Sequence, residues 1–188
     1  LLSLSAHKLY GPKGVGALYL RRRPRRVEPL PLIEGGGQEN GLRPGTLNVP
    51  AIVGMGAACE LMIESGAVER SRLRMLRERL FGALASELDG LTLNGHPDER
   101  LAGNLNLGID GVQADALLLG LPGIAVSAGA ACSSGSVKPS HVLEAIGAEA
   151  AGARAALRFG IGRFNTEEEI DRAAHLIAKQ VRALRERR

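Results

Sequence analysis

The stretch with the clearest chemical potential is residues 127–136, where Cys132 lies among glycine, alanine and serine residues. Neighbours this small do not bury a thiol. The stretch also lacks the hydrophobic period that places structural cysteines in helices or strands. The pattern predicts a cysteine that reacts as a nucleophile. From these residues alone, an exposed loop cysteine without a role is an equal alternative.

A second candidate is Lys8, in a predicted turn between strand-like runs at residues 1–4 and 15–20. A lysine attacks aldehydes as an amine when its surroundings lower its pKa. Ser5 and His7, beside it, are suited to hold a phosphate group. The alternative is an exposed basic turn without a role.

The third candidate is Arg158, in the alternating run at residues 156–161. Strict alternation puts the apolar residues of this run on one face of a strand and leaves Arg158 on the other, between two small residues. That space lets the guanidinium bind a carboxylate through two parallel hydrogen bonds. An edge salt bridge is the alternative.

The composition indicates a folded domain in a reducing compartment. Of the 188 residues, 45% are hydrophobic, which is enough for a core. Two cysteines, Cys59 and Cys132, do not make a disulfide framework, and neither a leader pattern nor a long apolar run is evident. We therefore expect a cytoplasmic protein without a membrane segment or a metal site. The net charge is +4, but arginines alternate with glutamates and aromatic residues make up only 3%, so direct nucleic-acid binding is not expected.

Helical and strand periods alternate along the chain, which predicts an α/β fold. Residues 51–63 and 68–88 have the helical period, with Cys59 packed on the buried face of the first helix. A break at Gly66 is the predicted domain boundary, and one long bent helix that bridges both domains is the alternative. Thr166 and Glu169 match a capping box that starts the last helix, whose end at residues 185–188 is expected to fray. Further helices are predicted at residues 113–119 and 140–146, and strands at residues 91–94, 104–108, 124–126 and 156–161.

Two other stretches are predicted to be loops. Residues 21–26 are arginine-rich with one proline and indicate a solvated loop, with an anionic partner as the alternative. Residues 35–46 are polar and glycine-rich, as is typical of loops that carry a function. The leucines of residues 1–4 indicate the end of a buried strand that has lost its beginning, so we expect a fragment of a longer protein.

Four motifs follow one another along the chain, at residues 5–14 (SAHKLYGPKG), 43–48 (RPGTLN), 128–143 (AGAACSSGSVKPSHVL) and 157–171 (LRFGIGRFNTEEEID). They resemble the cysteine desulfurases of the NifS and IscS type, in the class V branch of fold type I pyridoxal-phosphate enzymes. The small-residue loop followed by Pro-Ser-His-Val-Leu is similar to this branch rather than to the SufS branch. The motifs span almost the whole chain but only the carboxy-terminal half of a typical family member.

The resemblance implies a cofactor and the residues that hold it. Lys8 matches the lysine that binds the aldehyde of pyridoxal phosphate, and Ser5 and His7 match positions that hold its phosphate. Thr46 matches a residue that reaches the phosphate of the neighbouring subunit's cofactor. This last match implies a homodimer with shared sites.

The resemblance also implies the reaction. Cys132 matches the nucleophile that takes sulfur from L-cysteine, leaving L-alanine and a persulfide on the protein, and Arg158 matches the residue that binds the substrate's carboxylate. The persulfide sulfur then passes to an acceptor or an iron–sulfur scaffold protein, for cluster assembly or transfer-RNA thiolation. A mobile loop suits a cysteine that must meet both the cofactor and the acceptor.

The implied fold is α/β. Residues 1–65 match the carboxy-terminal remnant of the cofactor-binding large domain, and residues 66–188 match the small carboxy-terminal domain with the cysteine loop. The family's ring-stacking histidine and its aspartate at the ring nitrogen lie upstream of Lys8, so we expect little or no activity from the fragment alone. The alternatives are another class V enzyme, such as a selenocysteine lyase or an aminotransferase, or a non-catalytic fragment that docks a scaffold.

Overall fold

The computed structural model describes residues 1–25, 27–128, 140–148 and 156–187. Cys132 and the stretch around it lie outside the described residues. The chain divides into two compact units, Leu1–Ala67 and Val68–Arg188.

The first unit begins with a pair of antiparallel strands. Strands β1 (Leu2–Ser5) and β2 (Gly16–Tyr19) are joined through a short 3₁₀ turn, Ala6–Leu9. Leu2 and Leu4 are 55% and 38% exposed, so the prediction of a buried strand is wrong for this chain. A sheet of two strands buries a face only where another layer covers it.

The loop that follows is largely irregular. Its arginine-rich start is exposed at residues 21–25, as expected for a solvated loop. The glycine-rich stretch contains one further 3₁₀ turn, Gln38–Gly41, and then leads into a helix. This agrees with the loop predicted at residues 35–46.

Helix α1 (Val49–Glu87) runs for 39 residues without interruption, so the predicted break at Gly66 is wrong. Gly66 is buried, and the hydroxyl of Ser65 donates a 2.7 Å hydrogen bond to the carbonyl oxygen of Leu61 within the same helix. A glycine costs a helix only about 1 kcal/mol, which packing outweighs.

The early part of α1 buries less than the helical period predicted. Met55 is buried, but Ile52 is 42% and Ile63 is 84% exposed, and Cys59 is only partly buried. By length and composition alone α1 could cross a membrane, since its most apolar stretch has a mean hydropathy of 1.4. Within that stretch, 17% of the residues are buried. A single such helix is weak evidence for a span, because core helices of soluble proteins have the same properties.

The second unit is built on a three-stranded antiparallel sheet in the order β3-β4-β5, with β3 at Leu91–Leu93, β4 at Asn104–Ile109 and β5 at Ala156–Gly160. Leu107 in the central strand faces Leu93 on one side and Leu157 on the other. The helices are the second part of α1, α2 (Ala114–Leu119), α3 (His141–Ala145) and α4 (Glu167–Glu186). These elements agree with the predicted positions to within about two residues, and the α/β composition follows from them.

The core of this unit lies between the sheet, α1 and α4. Leu76, Leu80 and Leu84 of α1 are buried in this core, as are Ile170, Ile177 and Val181 of α4. The largest fully buried side chains are Leu80, Leu84, Leu105, Leu107, Ile109, Leu117, Leu157, Ile177 and Val181.

Two local predictions had different outcomes. The capping box is confirmed: the Glu169 N–H donates to Thr166 Oγ1 at 3.2 Å, and the Thr166 N–H donates to Glu169 Oε2 at 3.1 Å. The prediction that residues 185–188 fray is wrong for Arg185. Its guanidinium donates to the carbonyl oxygens of Asp89 and Asp110, each at 2.8 Å. These bonds hold the last turn of α4.

Candidate functional site

Three candidate residues lie together at one turn of the first unit. Ser5 ends β1 and is partly buried, and His7 and Lys8 follow in the 3₁₀ turn with exposed side chains. Ala6, between them, is fully buried. Its N–H donates to the Val15 carbonyl at 3.0 Å, which anchors the turn and leaves its polar side chains available.

Glycine contacts that sequence analysis missed seat this turn on α1. The Gly11 N–H donates to the Ala6 carbonyl at 2.9 Å, and a Cβ on Gly11 would lie 3.3 Å from the Cβ of Ala58. A Cβ on Gly54 would lie 2.7 Å from Cγ of Pro12. Both glycines therefore allow the turn and the helix to approach closely. The only sequence signal was the presence of glycine where a side chain was otherwise expected.

Thr46 is exposed in the loop before α1. Its backbone is held, since Nη1 of Arg43 donates to the carbonyl oxygens of Gly45 and Thr46 at 2.9 Å and 3.2 Å. The Gly45 N–H in turn donates to Oε1 of Gln38 at 3.1 Å, and Gly45 adopts a φ of 97° that favours glycine. The loop is therefore shaped by its own polar contacts, with the Thr46 hydroxyl at its surface.

Arg158 lies in β5 as the alternation predicted. Leu157 and Phe159 are buried at 0% and 4% exposure, whereas Arg158 on the opposite face is partly exposed. Its backbone pairs on one side with Asn106 of β4. On the other side it pairs with Ser127, which is the one bridge to β5 from outside the named strands in the described part of the chain.

The strand predicted at residues 124–126 is absent, because the chain still turns at that point. The Ile124 N–H donates to the Leu121 carbonyl at 3.1 Å, which closes a turn after α2. Pairing with β5 begins only at Ser127. The segment therefore reaches the sheet immediately before the cysteine motif.

Two charged residues of α1, Arg72 and Glu69, hold the turn that follows β5. The sequence analysis did not single out either of them. Arg72 donates to the carbonyl oxygens of Asn165, Gly162 and Arg163, the first at 2.8 Å. Glu69 accepts hydrogen bonds from Arg163, with 2.7 Å between Nη2 and Oε2. This bond from Arg163 holds the pKa of the Glu69 carboxyl below its ordinary value.

A second ion-pair group links α1 to the start of α4. Arg79 contacts Asp171 through two hydrogen bonds of 2.6 Å and 2.7 Å, and Glu167 at 2.7 Å. The bonds from Arg79 lower the pKa of Asp171. These side chains are about half exposed, so solvent screens the attraction.

The second unit also contains a cavity of about 340 Å³ between residues 123–126 and α4. Its floor includes Leu80, Phe159 and Ile170, and its polar residues include Glu169 and Arg172. Arg158 does not line it.

The described residues thus bring Ser5, His7 and Lys8 together in one turn. Thr46 lies in the same unit, and Arg158 lies in the second unit beside Ser127. Cys132 lies outside the described residues, so its role as the nucleophile stays a prediction.

Comparison with known proteins gives matches over almost the whole chain. The model of the aminotransferase class V family matches residues 1–173. The mitochondrial cysteine desulfurase of Arabidopsis thaliana is 54% identical over 187 residues, which cover 99% of this chain and 41% of that protein. The cysteine desulfurase IscS of Anaeromyxobacter sp. strain Fw109-5 is 52% identical over 99% of this chain and 46% of that protein.

The fold has matches among solved structures as well. A NifS-like protein superposes with a TM-score of 0.78 at 35% identity, over 97% of this chain and 45% of the other. The resemblance drawn from the four motifs and the α/β fold it implied are both confirmed. The chain spans less than half the length of the relatives it matches.

Proposed function

Because the chain belongs to the class V aminotransferase family, we propose that it acts within a cysteine desulfurase of the NifS and IscS type. The observation that carries the proposal is the 54% identity to a cysteine desulfurase over 99% of this chain. The proposed reaction converts L-cysteine to L-alanine and leaves sulfur on the protein.

The residues of the 3₁₀ turn fit pyridoxal phosphate as the cofactor. A hydroxyl on Ser5 and an imidazole on His7 are donors for a phosphate, and the exposed amine of Lys8 is the group that binds an aldehyde. All three come from one anchored turn, so they converge on one small region. When bound, the cofactor supplies an electron sink for the substrate's α-carbon.

Arg158 is the proposed anchor for the substrate's carboxylate. It lies on the face of β5 opposite the buried Leu157 and Phe159, and it is itself partly exposed. A planar guanidinium binds a carboxylate through two parallel bonds and so orients the rest of the amino acid. This role requires both the charge and the fork geometry of arginine.

Cys132 is the proposed nucleophile. As a thiolate it attacks the sulfur of the bound L-cysteine, an S–S bond forms, and the substrate's C–S bond breaks. The electron pair of the C–S bond goes to the substrate's β-carbon, which takes up a proton and becomes the methyl group of L-alanine. In this proposal Lys8, as an amine, moves the proton at the α-carbon. The product is a persulfide on Cys132 that a sulfur acceptor or an iron–sulfur scaffold protein then collects.

We further propose the same organisation as the resemblance implied. Residues 1–65 belong to the cofactor-binding large domain, and residues 66–188 form the small domain with the cysteine loop. Thr46, exposed on its shaped loop, reaches the phosphate of a second subunit's cofactor, so the working protein is a homodimer. We place it in the cytoplasm, without a membrane segment.

A hybrid protein tests this function. In it, residues 1–188 replace the matching part of the Anaeromyxobacter relative. With pyridoxal phosphate and L-cysteine, we expect release of L-alanine and an added sulfur on Cys132, detected by mass spectrometry. The chain by itself is expected to show little or no release.

Matched cysteine variants decide the reaction class. The hybrid with Cys132→Ser should lose the added sulfur, whereas Cys59→Ser, on α1, should keep it. An undiminished reaction in the Cys132→Ser hybrid would overturn the desulfurase proposal and favour an aminotransferase. A hybrid that binds the cofactor but forms neither product would overturn it as well.

A further inference from the structure

Arg72 of α1 makes three hydrogen bonds to the backbone of a single turn. Its guanidinium donates to the carbonyl oxygens of Gly162, Arg163 and Asn165, which together form the turn between β5 and α4. Hydrogen bonds from a charged donor are about twice as strong as neutral ones. One side chain therefore satisfies three acceptors of a single turn.

Glu69 contacts the same turn through the side chain of Arg163. Glu69 and Arg72 are three residues apart on α1, so they lie on the same face of the helix. The Glu69 carboxylate receives two bonds from Nε of Arg163 at 3.1 Å and one from Nη2 at 2.7 Å. The pair is mostly buried, with 15% of the Glu69 side chain and 24% of the Arg163 side chain exposed.

This clamp acts on the end of the strand that carries Arg158. The strand β5 ends at Gly160, the Ile161 N–H donates to the Gly103 carbonyl at 2.8 Å, and the clamped turn follows at once. The Gly162 N–H closes the turn on Oδ1 of Asn165 at 2.8 Å. On the side away from β4, the only described pairing of β5 is the bridge to Ser127.

We infer that Arg72, together with the Glu69–Arg163 pair, positions Arg158 by fixing the end of β5 against α1. The inference rests on the proposed function, in which Arg158 binds the substrate's carboxylate. Arg72 is a positioning residue and touches no substrate. Its effect reaches Arg158 through a strand that pairs with β4 from Ala156 to Gly160 and, among the described residues of its other edge, with Ser127.

Hydrogen exchange in the chain itself tests the clamp without any need for activity. The amide of Arg158, which donates to the Ser127 carbonyl, reports the β5 edge, and the amide of Asn94, which donates to the Asn106 carbonyl, reports the pairing of β3 with β4. We expect Arg72→Met to speed exchange at Arg158 by about tenfold, which corresponds to about 1.4 kcal/mol, while Asn94 changes little. Arg74→Met, exposed on the same helix, is the matched control and should change neither amide.

The conservative variant sharpens the result. Arg72→Lys keeps the charge but cannot bridge three carbonyl oxygens, so we expect it to restore only part of the protection at Arg158. Equal acceleration at Arg158 and Asn94 would mean a general loss of stability and would overturn the positioning role. Unchanged exchange at Arg158 would overturn it too.

The consequence for the reaction is measured in the hybrid protein. There, Arg72→Met should raise KM for L-cysteine by about tenfold and leave kcat within about twofold, because carboxylate binding is displaced and the nucleophile is not. A fall in kcat at constant KM would contradict the inference. An inactive hybrid with wild-type Arg72 would count against the proposed function alone, since the exchange experiment decides the clamp independently.

Discussion

The backbone N–H of Arg158 donates a 2.7 Å hydrogen bond to the carbonyl oxygen of Ser127, and the Ser127 N–H donates one of 3.3 Å in return. Such a reciprocal pair is the closely spaced hydrogen-bonded pair of an antiparallel ladder. Ser127 is the first residue of the small-residue motif that contains Cys132. Backbone hydrogen bonds therefore join Arg158, the residue proposed to bind the substrate, to Ser127, where the stretch that contains Cys132 begins.

The role of Arg158 predicts a specific loss of substrate affinity. In the hybrid protein, Arg158→Gln should raise KM for L-cysteine about 10- to 100-fold, since charged hydrogen bonds contribute about 1.5–3 kcal/mol. Arg158→Lys should recover only part of this, because an ammonium lacks the fork geometry. Steady-state L-alanine formation measures both. A KM that is unaltered in Arg158→Gln would remove Arg158 from substrate binding.

Two glycines on α1, two residues apart, should respond in opposite ways to alanine. A Cβ on Gly54 would lie 2.7 Å from Cγ of Pro12, so Gly54→Ala should cost about 1–3 kcal/mol in overpacking and loosen the turn that carries Lys8. A Cβ on Gly56 meets nothing within 4 Å, so Gly56→Ala should gain up to about 1 kcal/mol of helix propensity. Urea unfolding compares them. Equal effects would argue against close packing of the turn on α1.

Replacement of two arginines of α1 by methionine should change the stability of the chain in different directions. Arg77 is 7% exposed, and its Nη1 has no hydrogen-bond partner in the described part of the chain. Its Nη2 lies 3.5 Å from Oε1 of Glu78, a long contact to an exposed carboxylate, so the buried charge is only weakly compensated. Burial of such a cation is costly, and Arg77→Met should therefore leave stability unchanged or raise it by about 1–2 kcal/mol. Arg72→Met removes three bonds and should lower it by about 1–3 kcal/mol. Thermal unfolding that ranks the two variants in the reverse order would contradict this view of the clamp.

The Glu69–Arg163 pair predicts an acid-sensitive contribution to stability. The pKa of Glu69 is lower in the folded chain, so its contribution is complete above the unfolded pKa of about 4.3 and is lost as pH falls through the folded value. Glu69→Gln should therefore lower the free energy of unfolding at pH 7 by about 1–3 kcal/mol, and the difference should shrink below about pH 4. Urea unfolding at several pH values measures this. A difference that stayed constant down to pH 3 would show that the ionised carboxylate is not what stabilises the turn.

Local patterns in the sequence determined the features that depend on near neighbours. The two faces of β5 follow from a period of two, and the start of α4 follows from Thr166 and Glu169, three residues apart. The turn at Lys8 follows from the flanking strand patterns. The family followed from motifs whose order along the chain is itself a sequence property.

Tertiary structure alone decided the features that depend on distant residues. Arg72 and Asn165 are 93 residues apart, so no local period could connect them, and an arginine that clamps a turn looks the same in sequence as one facing solvent. The continuity of α1 through Gly66, the open faces of β1 and the unpaired residues 124–126 likewise depend on what does or does not pack against them. Hydrophobic periodicity describes which side of an element is apolar. Long-range contacts decide whether that side is covered.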